Sequence, residues 1–360
     1  MSLSESLPPS LDPAIAAAGG ANAESARPRL VAGWLLACCA LVFAMIILGG
    51  VTRLTGSGLS IVDWDPIMGV VPPLTEQQWA STFDKYRQFP EYQQKNIGMT
   101  LPEFKSIFWF EYAHRLLGRL IGVVFLVPFL YFWARGYFSR RMVPKLATMF
   151  VLGALQGLLG WYMVMSGLVD RPHVSQYRLT AHLGAALVIY AYMLWVAMGL
   201  LFPQRQNSEA GMGRAGFGIA TFVFVTALSG GFVAGLKAGL AYNTFPLMGG
   251  EWFPAAYWTF EPAWINLFEN IAAVQFNHRI LAELVFVAVV AFWWVGRRRR
   301  IPDRARLGLN LMAAMVVLQV ALGIATLLLA VPVSLGALHQ AGALVLFTFA
   351  LFTAHGLRVP

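Results

Sequence analysis

The sequence predicts an all-α integral membrane protein with eight transmembrane helices, arranged as two four-helix bundles. The composition supports this, since 58% of the residues are hydrophobic and only 12% are charged, whereas about a quarter of the residues in a soluble domain are charged. Apolar residues also fall in windows of about 20, the length that crosses a bilayer. The net charge of +9 lies in short runs between these windows, a pattern that indicates membrane topology and argues against a nucleic-acid partner.

Eight apolar windows follow one another, at residues 31–51, 108–133, 146–166, 179–202, 216–236, 270–295, 308–330 and 335–356. Basic residues are concentrated in the connections 134–145, 203–215 and 296–306, so these connections and both termini are predicted to be cytoplasmic. Residues 1–30 are predicted to form a disordered cytoplasmic tail. The long connection 52–107 is predicted to form an ordered cap on the outer side.

The two halves of the chain are predicted to be copies of each other. An N-terminal half (31–202) and a C-terminal half (216–356) are joined by a cytoplasmic linker at 203–215. Each half has four spans, so both insert in the same direction as parallel repeats, and we expect one four-helix bundle from each. Matched elements occur in the same order in both halves: Gly49-Gly50 with Gly230-Gly231, His114-Arg115 with His278-Arg279, Gln156…Gly160 with Gln319…Gly323, and His182 with His339.

Four of the six histidines lie in predicted spans, near their outer ends, and the repeat pairs them. His114 and His182 belong to the first half, and His278 and His339 to the second. Two imidazoles at equal depth on different helices of one bundle suit the two faces of a haem iron. The remaining histidines are expected in solvated or interfacial positions: His173 and His355.

A small residue follows each of these four histidines by four positions, on the same helical face. Small side chains there leave room for a porphyrin plane. Close packing of membrane helices explains any one of them equally well. The four positions are Gly118, Ala186, Ala282 and Ala343.

Arginines and one carboxylate accompany the histidines. Arg115 and Arg279 each follow a histidine, and they either pair with haem propionates or extend to the membrane interface. Three positions before the histidine the halves differ, with Glu111 in one and Gln275 in the other. A buried carboxylate can act as a base or stabilise a developing cation, or it can orient His114. We therefore predict that chemistry occurs in the first half.

Together these motifs resemble the haem A synthase family, of the mitochondrial and alphaproteobacterial type. The resemblance runs from about residue 30 to the end of the chain. It implies an eight-helix membrane enzyme that oxidises the C8 methyl group of haem O to a formyl group, giving haem A for terminal oxidase assembly. The motifs that carry it are GGVTRLTGSGLSIVDWDPIMG at 49–69, FEYAHRLLGRLIG at 110–122, the repeated QxxLG element, the four histidines and GLAYNTFPLMGG at 239–250.

The resemblance also implies roles for single residues. His278 and His339 would bind a permanent haem B, His114 and His182 would address the substrate haem O, and Glu111 matches an important glutamate of the family. Some bacterial members carry a cysteine pair in the first outer loop, whereas 52–107 contains no cysteine. Thiol chemistry in that loop is therefore excluded here.

The implied location is the inner (plasma) membrane, with the haem sites toward the outer, periplasmic side. The implied partners are the lipid bilayer, haem O synthase and an electron-transfer partner such as a ferredoxin system, and a homo-oligomer is compatible with them. We expect electrons to leave the substrate haem toward haem B. Glu111 would receive a proton or stabilise a carbocation at the methyl carbon.

Three points stay open at the level of sequence. Two histidines on the substrate iron leave no position for oxygen, so either one dissociates or the oxygen atom comes from water. A dihaem b-type cytochrome that transfers electrons without modifying a haem would use the same four histidines. A haem carrier would use them too, although few polar residues continue into the cytoplasmic half of the spans.

Overall fold

The computed structural model describes residues 13–63, 68–168, 172–203 and 210–358. These residues are mostly helical, and apart from one isolated bridge between Met248 and Glu251 they contain no β-structure. The α-helices are α1 (Pro13–Leu54), α2 (Glu76–Tyr86), α3 (Pro90–Gln94), α4 (Leu101–Ala134), α5 (Val143–Met165), α6 (Gln176–Leu201), α7 (Ala210–Gly235), α8 (Asn266–Glu269), α9 (Ile271–Gly296), α10 (Asp303–Leu328) and α11 (Val333–Gly356).

Within the described residues, 8 helices are long and apolar enough to cross a membrane: α1, α4, α5, α6, α7, α9, α10 and α11. This confirms the predicted all-α membrane fold. The shorter helices α2 and α3 lie in the connection between the first two spans, and α8 lies directly before α9.

Several boundaries differ from the predicted ones. Helix α1 begins at Pro13, inside the stretch predicted as a disordered tail, because an alanine-rich segment extends an already nucleated helix at little cost. Residues 1–12 lie outside the described part of the chain. Helix α4 begins at Leu101, since the Glu103 carboxylate accepts a hydrogen bond from the Thr100 backbone N–H at 2.7 Å. Helix α7 begins inside the predicted linker, of which 204–209 is not described.

The spanning helices form two groups of four with the same order of contacts. In the first, α1 packs on α4, α4 on α5, α5 on α6, and α6 returns to α1. In the second, α7, α9, α10 and α11 follow the same cyclic order. The groups meet where α6 packs on α7 and α1 packs on α11.

One large apolar cluster fills the half of these groups that lies away from the connection between α1 and α4. In each of the four helices that carry a paired histidine, the buried members of this cluster begin only after that histidine: Phe125 in α4, Leu187 in α6, Val285 in α9 and Leu344 in α11. The level of the histidines is therefore not filled by the main core.

A cap formed by α2 and α3 covers the start of α4. It is held by a second buried cluster, made of Trp79, Tyr86, Phe104 and Phe108. The Trp79 and Phe108 ring centroids are 4.9 Å apart, and those of Tyr86 and Phe104 are 5.1 Å apart. Edge-to-face and tilted aromatic pairs of this kind stabilise a small unit. We call the end of the molecule that carries it the cap end.

Candidate functional site

The second helix group brings two of the predicted histidines together. His278 of α9 and His339 of α11 have ring centroids 6.4 Å apart and ring planes at 89°. Since a metal–imidazole bond is about 2 Å long, imidazoles on opposite faces of one iron have centroids about 6 Å apart. The observed spacing fits that arrangement.

Hydrogen bonds hold both of these rings at Nδ1. The Nδ1 of His278 lies 2.7 Å from Ser229 Oγ, and the Nδ1 of His339 lies 3.1 Å from Gln319 Nε2. Partners of this kind fix the orientation of a metal-binding imidazole. Ser229 Oγ can accept the Nδ1 proton of His278, which leaves Nε2 of that ring available to an iron, whereas the Gln319 amide N–H can only donate to Nδ1 of His339.

The first group places His114 on α4 and His182 on α6. The Nδ1 of His182 is buried and has no hydrogen-bond partner among the described residues. Gln156 Nε2 donates to the backbone carbonyl of His182 at 2.9 Å, as Gln319 Nε2 does to that of His339. A buried nitrogen without a partner is costly, and an imidazole with an unused nitrogen suits a metal ligand.

All four imidazoles lie directly against a glycine of a neighbouring helix. A Cβ atom built on that glycine would come within 2.9–3.1 Å of the ring in every case, tighter than nine in ten real Cβ contacts. Glycine therefore lets the imidazole lie this close to the neighbouring helix. The pairs are Gly49 with His114, Gly160 with His182, Gly230 with His278, and Gly323 with His339.

The repeated QxxLG element is explained by these contacts. Gln156 and Gly160 are four residues apart, so they share one face of α5. The glutamine bonds the carbonyl of His182 and the glycine accommodates its ring. Gln319 and Gly323 of α10 contact His339 in the same way. The sequence revealed the repeated element, but its role in holding the second histidine was missed, although the spacing of four was the available signal.

The Gly-Gly elements lie between the two groups. Gly49 faces His114 of its own group, whereas Gly50 faces the side chain of Gln340 on α11 of the other group. Likewise, Gly230 faces His278, and a Cβ on Gly231 would lie 2.9 Å from Thr180 Oγ1 of α6. Gln340 and Thr180 are close in sequence to His339 and His182. Each Gly-Gly element thus packs one histidine of its own group against the helix that carries a histidine of the other.

The carboxylate of Glu111 is almost fully buried, with 3% of the residue exposed. It accepts hydrogen bonds from Ser60 Oγ at 2.8 Å and the Ile61 backbone N–H at 2.9 Å. The Arg115 side chain donates to its other oxygen at 2.8 and 3.1 Å. No hydrogen bond to His114 is recorded in the described part of the chain. Ser60 and Ile61 were not singled out from the sequence, although both lie within the motif at 49–69.

The matching position in the second group has the opposite hydrogen-bonding character. Gln275 is equally buried, and its Nε2 donates to the carbonyls of Ala238 and Tyr242 at 2.9 and 3.3 Å. The connection after α1 therefore offers donors to a carboxylate, whereas the connection after α7 offers acceptors to an amide. The charged site is specific to the first group.

Both predicted arginines fasten these connections. Arg115 donates to the carbonyls of Ile61 and Asp63 at 2.7 and 3.0 Å. Arg279 donates to the carbonyls of Tyr242 and Thr244, both at 2.8 Å. These contacts fasten each loop to the helix that carries the first histidine of its group. A contact with haem propionates stays a prediction for both residues.

His355 was predicted in a solvated or interfacial position, and this is wrong. The residue is 1% exposed, and its Nδ1 lies 3.0 Å from a nitrogen of Arg304. Its ring centroid is 5.0 Å from that of Trp195. The last turn of α11 is covered by α6 and α10, a packing that the sequence of the turn does not reveal.

The paired histidines and the matched glycines lie in a chain whose sequence matches a known family. Residues 32–351 match the COX15-CtaA family model, described as cytochrome oxidase assembly protein. The chain belongs to this family. The match covers both helix groups and all seven predicted site residues, and it confirms the resemblance that the motifs indicated.

Relatives in this family are similar over nearly their whole length. Heme A synthase of Nitrosospira multiformis is 54% identical over 332 residues, 91% of this chain and 93% of that protein. Heme A synthase of Rhodospirillum centenum is 51% identical over 345 residues, covering 95% and 92%. Heme A synthase COX15 of Homo sapiens is 47% identical over 343 residues, covering 92% and 84%.

Proposed function

We propose that this protein converts haem O to haem A by oxidising the C8 methyl group of the porphyrin to a formyl group. One observation carries the proposal beyond family membership: a buried carboxylate, Glu111, stands in one helix group where the other has the amide of Gln275. Two sites that only relayed electrons would not need this difference. The first group is therefore assigned to the substrate and the second to a resident cofactor.

In the second group, His278 and His339 would hold a haem B. Ser229 and Gln319 orient the two rings, and glycines of α7 and α10 give them room. When bound, the haem B supplies an acceptor for the electrons that the oxidation releases. The 6.4 Å separation of the rings supports the assignment.

In the first group, His114 and His182 interact with the iron of haem O, and Glu111 acts on the reacting methyl group. Its carboxylate takes up a proton or stabilises positive charge that develops at the methyl carbon, neither of which an amide can do. Ser60, Ile61 and Arg115 fix the carboxylate before the substrate binds. A preorganised charge stabilises a transition state without the cost of reorganisation.

The proposed placement is the inner membrane, with both termini in the cytoplasm and the cap end on the outer side. The basic connections after α4 and α9 lie at the opposite end, which supports this orientation. The matched glycine, glutamine and histidine contacts of the two groups support an internal parallel repeat. Haem O synthase and an electron-transfer protein are the proposed partners.

Production of haem A in cells tests the function directly. The full chain is produced together with a haem O supply, and the haems are extracted and separated. We expect haem A in these cells and none in cells with the supply alone. Absence of haem A from cells in which the protein is folded and membrane-inserted would sink the proposal.

A dihaem b-type cytochrome is the second candidate, and the equal histidine–glycine contacts of both groups favour it. The two functions differ in the fate of the porphyrin. A cytochrome would bind two haems and return both chemically unchanged.

A further inference from the structure

One arginine near the outer end of the first helix group has no structural task. Arg115 and Arg279 each donate to two backbone carbonyls of the loops that they fasten. For the guanidinium of Arg53, near the end of α1, no hydrogen bond or ion pair is recorded with the residues that the structure describes, although Arg53 is half-buried. A guanidinium is always charged and has five N–H donors, so this side chain is available to an anion.

The position of Arg53 relates it to the histidines of the first group. It follows Gly49 by four residues, so the two share one face of α1, with Arg53 about 6 Å nearer the cap end. A Cβ atom on Gly49 would lie 3.0 Å from Nε2 of His114. In the second group, the residue four positions after Gly230 is Ala234. The cation one turn above the histidine therefore belongs to the first group alone.

Arg53 also lies at the same depth as the buried carboxylate. Thr52 Oγ1 donates to the backbone carbonyl of Phe110 at 3.4 Å, across the contact between α1 and α4. Arg53 and Glu111 are the next residues along these two helices. One ligand at the outer end of this group can therefore meet both a guanidinium and a carboxylate.

Two lysines add positive charge near Arg53. Lys95 directly follows α3 in the cap, and Lys237 follows α7. Burial lowers the pKa of Lys95, and the charge of Glu91 opposes this. The charges of Lys237 and Arg53 lower it further, as expected for cations that lie close together. Glu91 neutralises at most one of the three cations, so the set keeps a net positive charge.

The backbone of Lys237 supports a role for its charge. Its φ of 54° is in the left-handed region, and the matching position of the first group is a glycine, Gly56, with a φ of 68°. Glycine adopts this conformation without the steric cost that a lysine has. The turn itself would favour glycine at both positions, so the lysine is explained by its side chain.

We propose that Arg53 binds a propionate carboxylate of the substrate haem O, in a positive field to which Lys95 and Lys237 contribute. A guanidinium matches a carboxylate with two parallel hydrogen bonds. The C8 methyl group and one propionate are neighbours on the same pyrrole ring, so binding of that propionate at Arg53 holds the methyl group at the depth of Glu111. Arg53 thus selects the rotation of the macrocycle that reacts. This inference rests on the proposed function and adds to it the recognition of the substrate.

The test is a binding titration without turnover. Full-length wild type and Arg53→Met are titrated with haem O and with its dimethyl ester, in which both propionates are esterified, and absorption spectra give the dissociation constants. We expect the wild type to prefer the free acid by at least about tenfold, because hydrogen bonds between charged groups are the stronger ones. Arg53→Met should lose this preference, and Arg53→Lys, which keeps the charge, should retain part of it.

Arg87→Met is the matched control, since Arg87 is an exposed arginine of the cap that pairs with Asp84, and it should bind both ligands as the wild type does. The melting temperature of Arg53→Met should equal that of the wild type. A wild type without a preference for the free acid, a preference that survives in Arg53→Met, or an equal loss of affinity for acid and ester would overturn the role of Arg53. Failure of the proposed function would instead appear as a wild type that binds haem O and makes no haem A.

Discussion

In the C-terminal helix group, Ser229 supplies a hydroxyl to the Nδ1 of His278, whereas the residue that precedes the matching glycine in the N-terminal group is Leu48. Three positions before the first histidine of each group, the C-terminal group has the amide of Gln275 and the N-terminal group has the carboxylate of Glu111. One group directs its polar side chains at the imidazoles, which suits permanent ligation. The other directs them at a carboxylate, which suits chemistry.

The segments that cover the two helix groups also differ. The C-terminal group is covered by short turns at Ala238–Leu240, Ala255–Tyr257 and Ala263–Ile265. The N-terminal group is covered by a cap with its own aromatic core and the buried carboxyl of Glu91. The two groups thus share their histidine positions and differ in the groups that handle charge.

Removal of one histidine from each group should give the largest difference. We expect His278→Ala to lose nearly all of the low-spin spectrum of the proposed resident haem, because one of its two proposed axial ligands is gone. His114→Ala should keep most of that spectrum, since its group is proposed to hold only the substrate haem. Absorption spectra of the purified variants check this, with the exposed loop variant His173→Ala as the control. The reverse result would exchange the two sites.

Replacement of the carboxylate by the amide that the other group carries should be next in size. Glu111→Gln should reduce haem A formation by at least about 10²-fold, because an amide neither accepts a proton nor stabilises a cation. Its resident haem should remain bound, as measured by pigment extraction and absorption spectra. Full haem A production by this variant with both haems present would show that the Glu111 carboxylate is not needed for the chemistry.

The hydroxyl partner of His278 should have a moderate effect. Ser229→Ala removes the hydrogen bond that orients the ring, and such losses typically weaken metal binding by about 10–100-fold. The rate at which each variant loses haem to a scavenging apoprotein measures this weakening. Thr221→Ala is the control, since its hydroxyl bonds only a carbonyl of its own helix. Equal rates of haem loss from both variants would show that Ser229 does not support ligation.

Two glycines of one motif should give the smallest and most specific difference. A Cβ at Gly160 would lie 3.0 Å from His182 Cε1, whereas nothing lies within 4 Å of a Cβ at Gly157. We expect Gly160→Ala to destabilise the protein by about 1–3 kcal/mol through overpacking. Gly157→Ala should be neutral or slightly stabilising, because alanine is the better helix former. Melting temperatures in detergent test this prediction. Equal values for the two variants would exclude the tight contact between position 160 and His182.

Much of the fold could be predicted because membrane spans are recorded in local composition. Helix ends were less accurate at α1, α4 and α7, where capping and helix propensity extend the helix beyond the apolar window. The burial of His355 was missed because it depends on α6 and α10, which are distant in sequence from the last turn of α11.

The sequence by itself determined the class of protein, the number of spans, the matched histidines and the difference between Glu111 in one half and Gln275 in the other. These follow from residue identity and spacing. Only the tertiary structure decided what each motif contacts: that Gln156 and Gly160 hold His182, that Ser60 and Ile61 bond Glu111, and that Gly50 meets Gln340. Such contacts join residues far apart in the chain, and they exist only when the helices have packed.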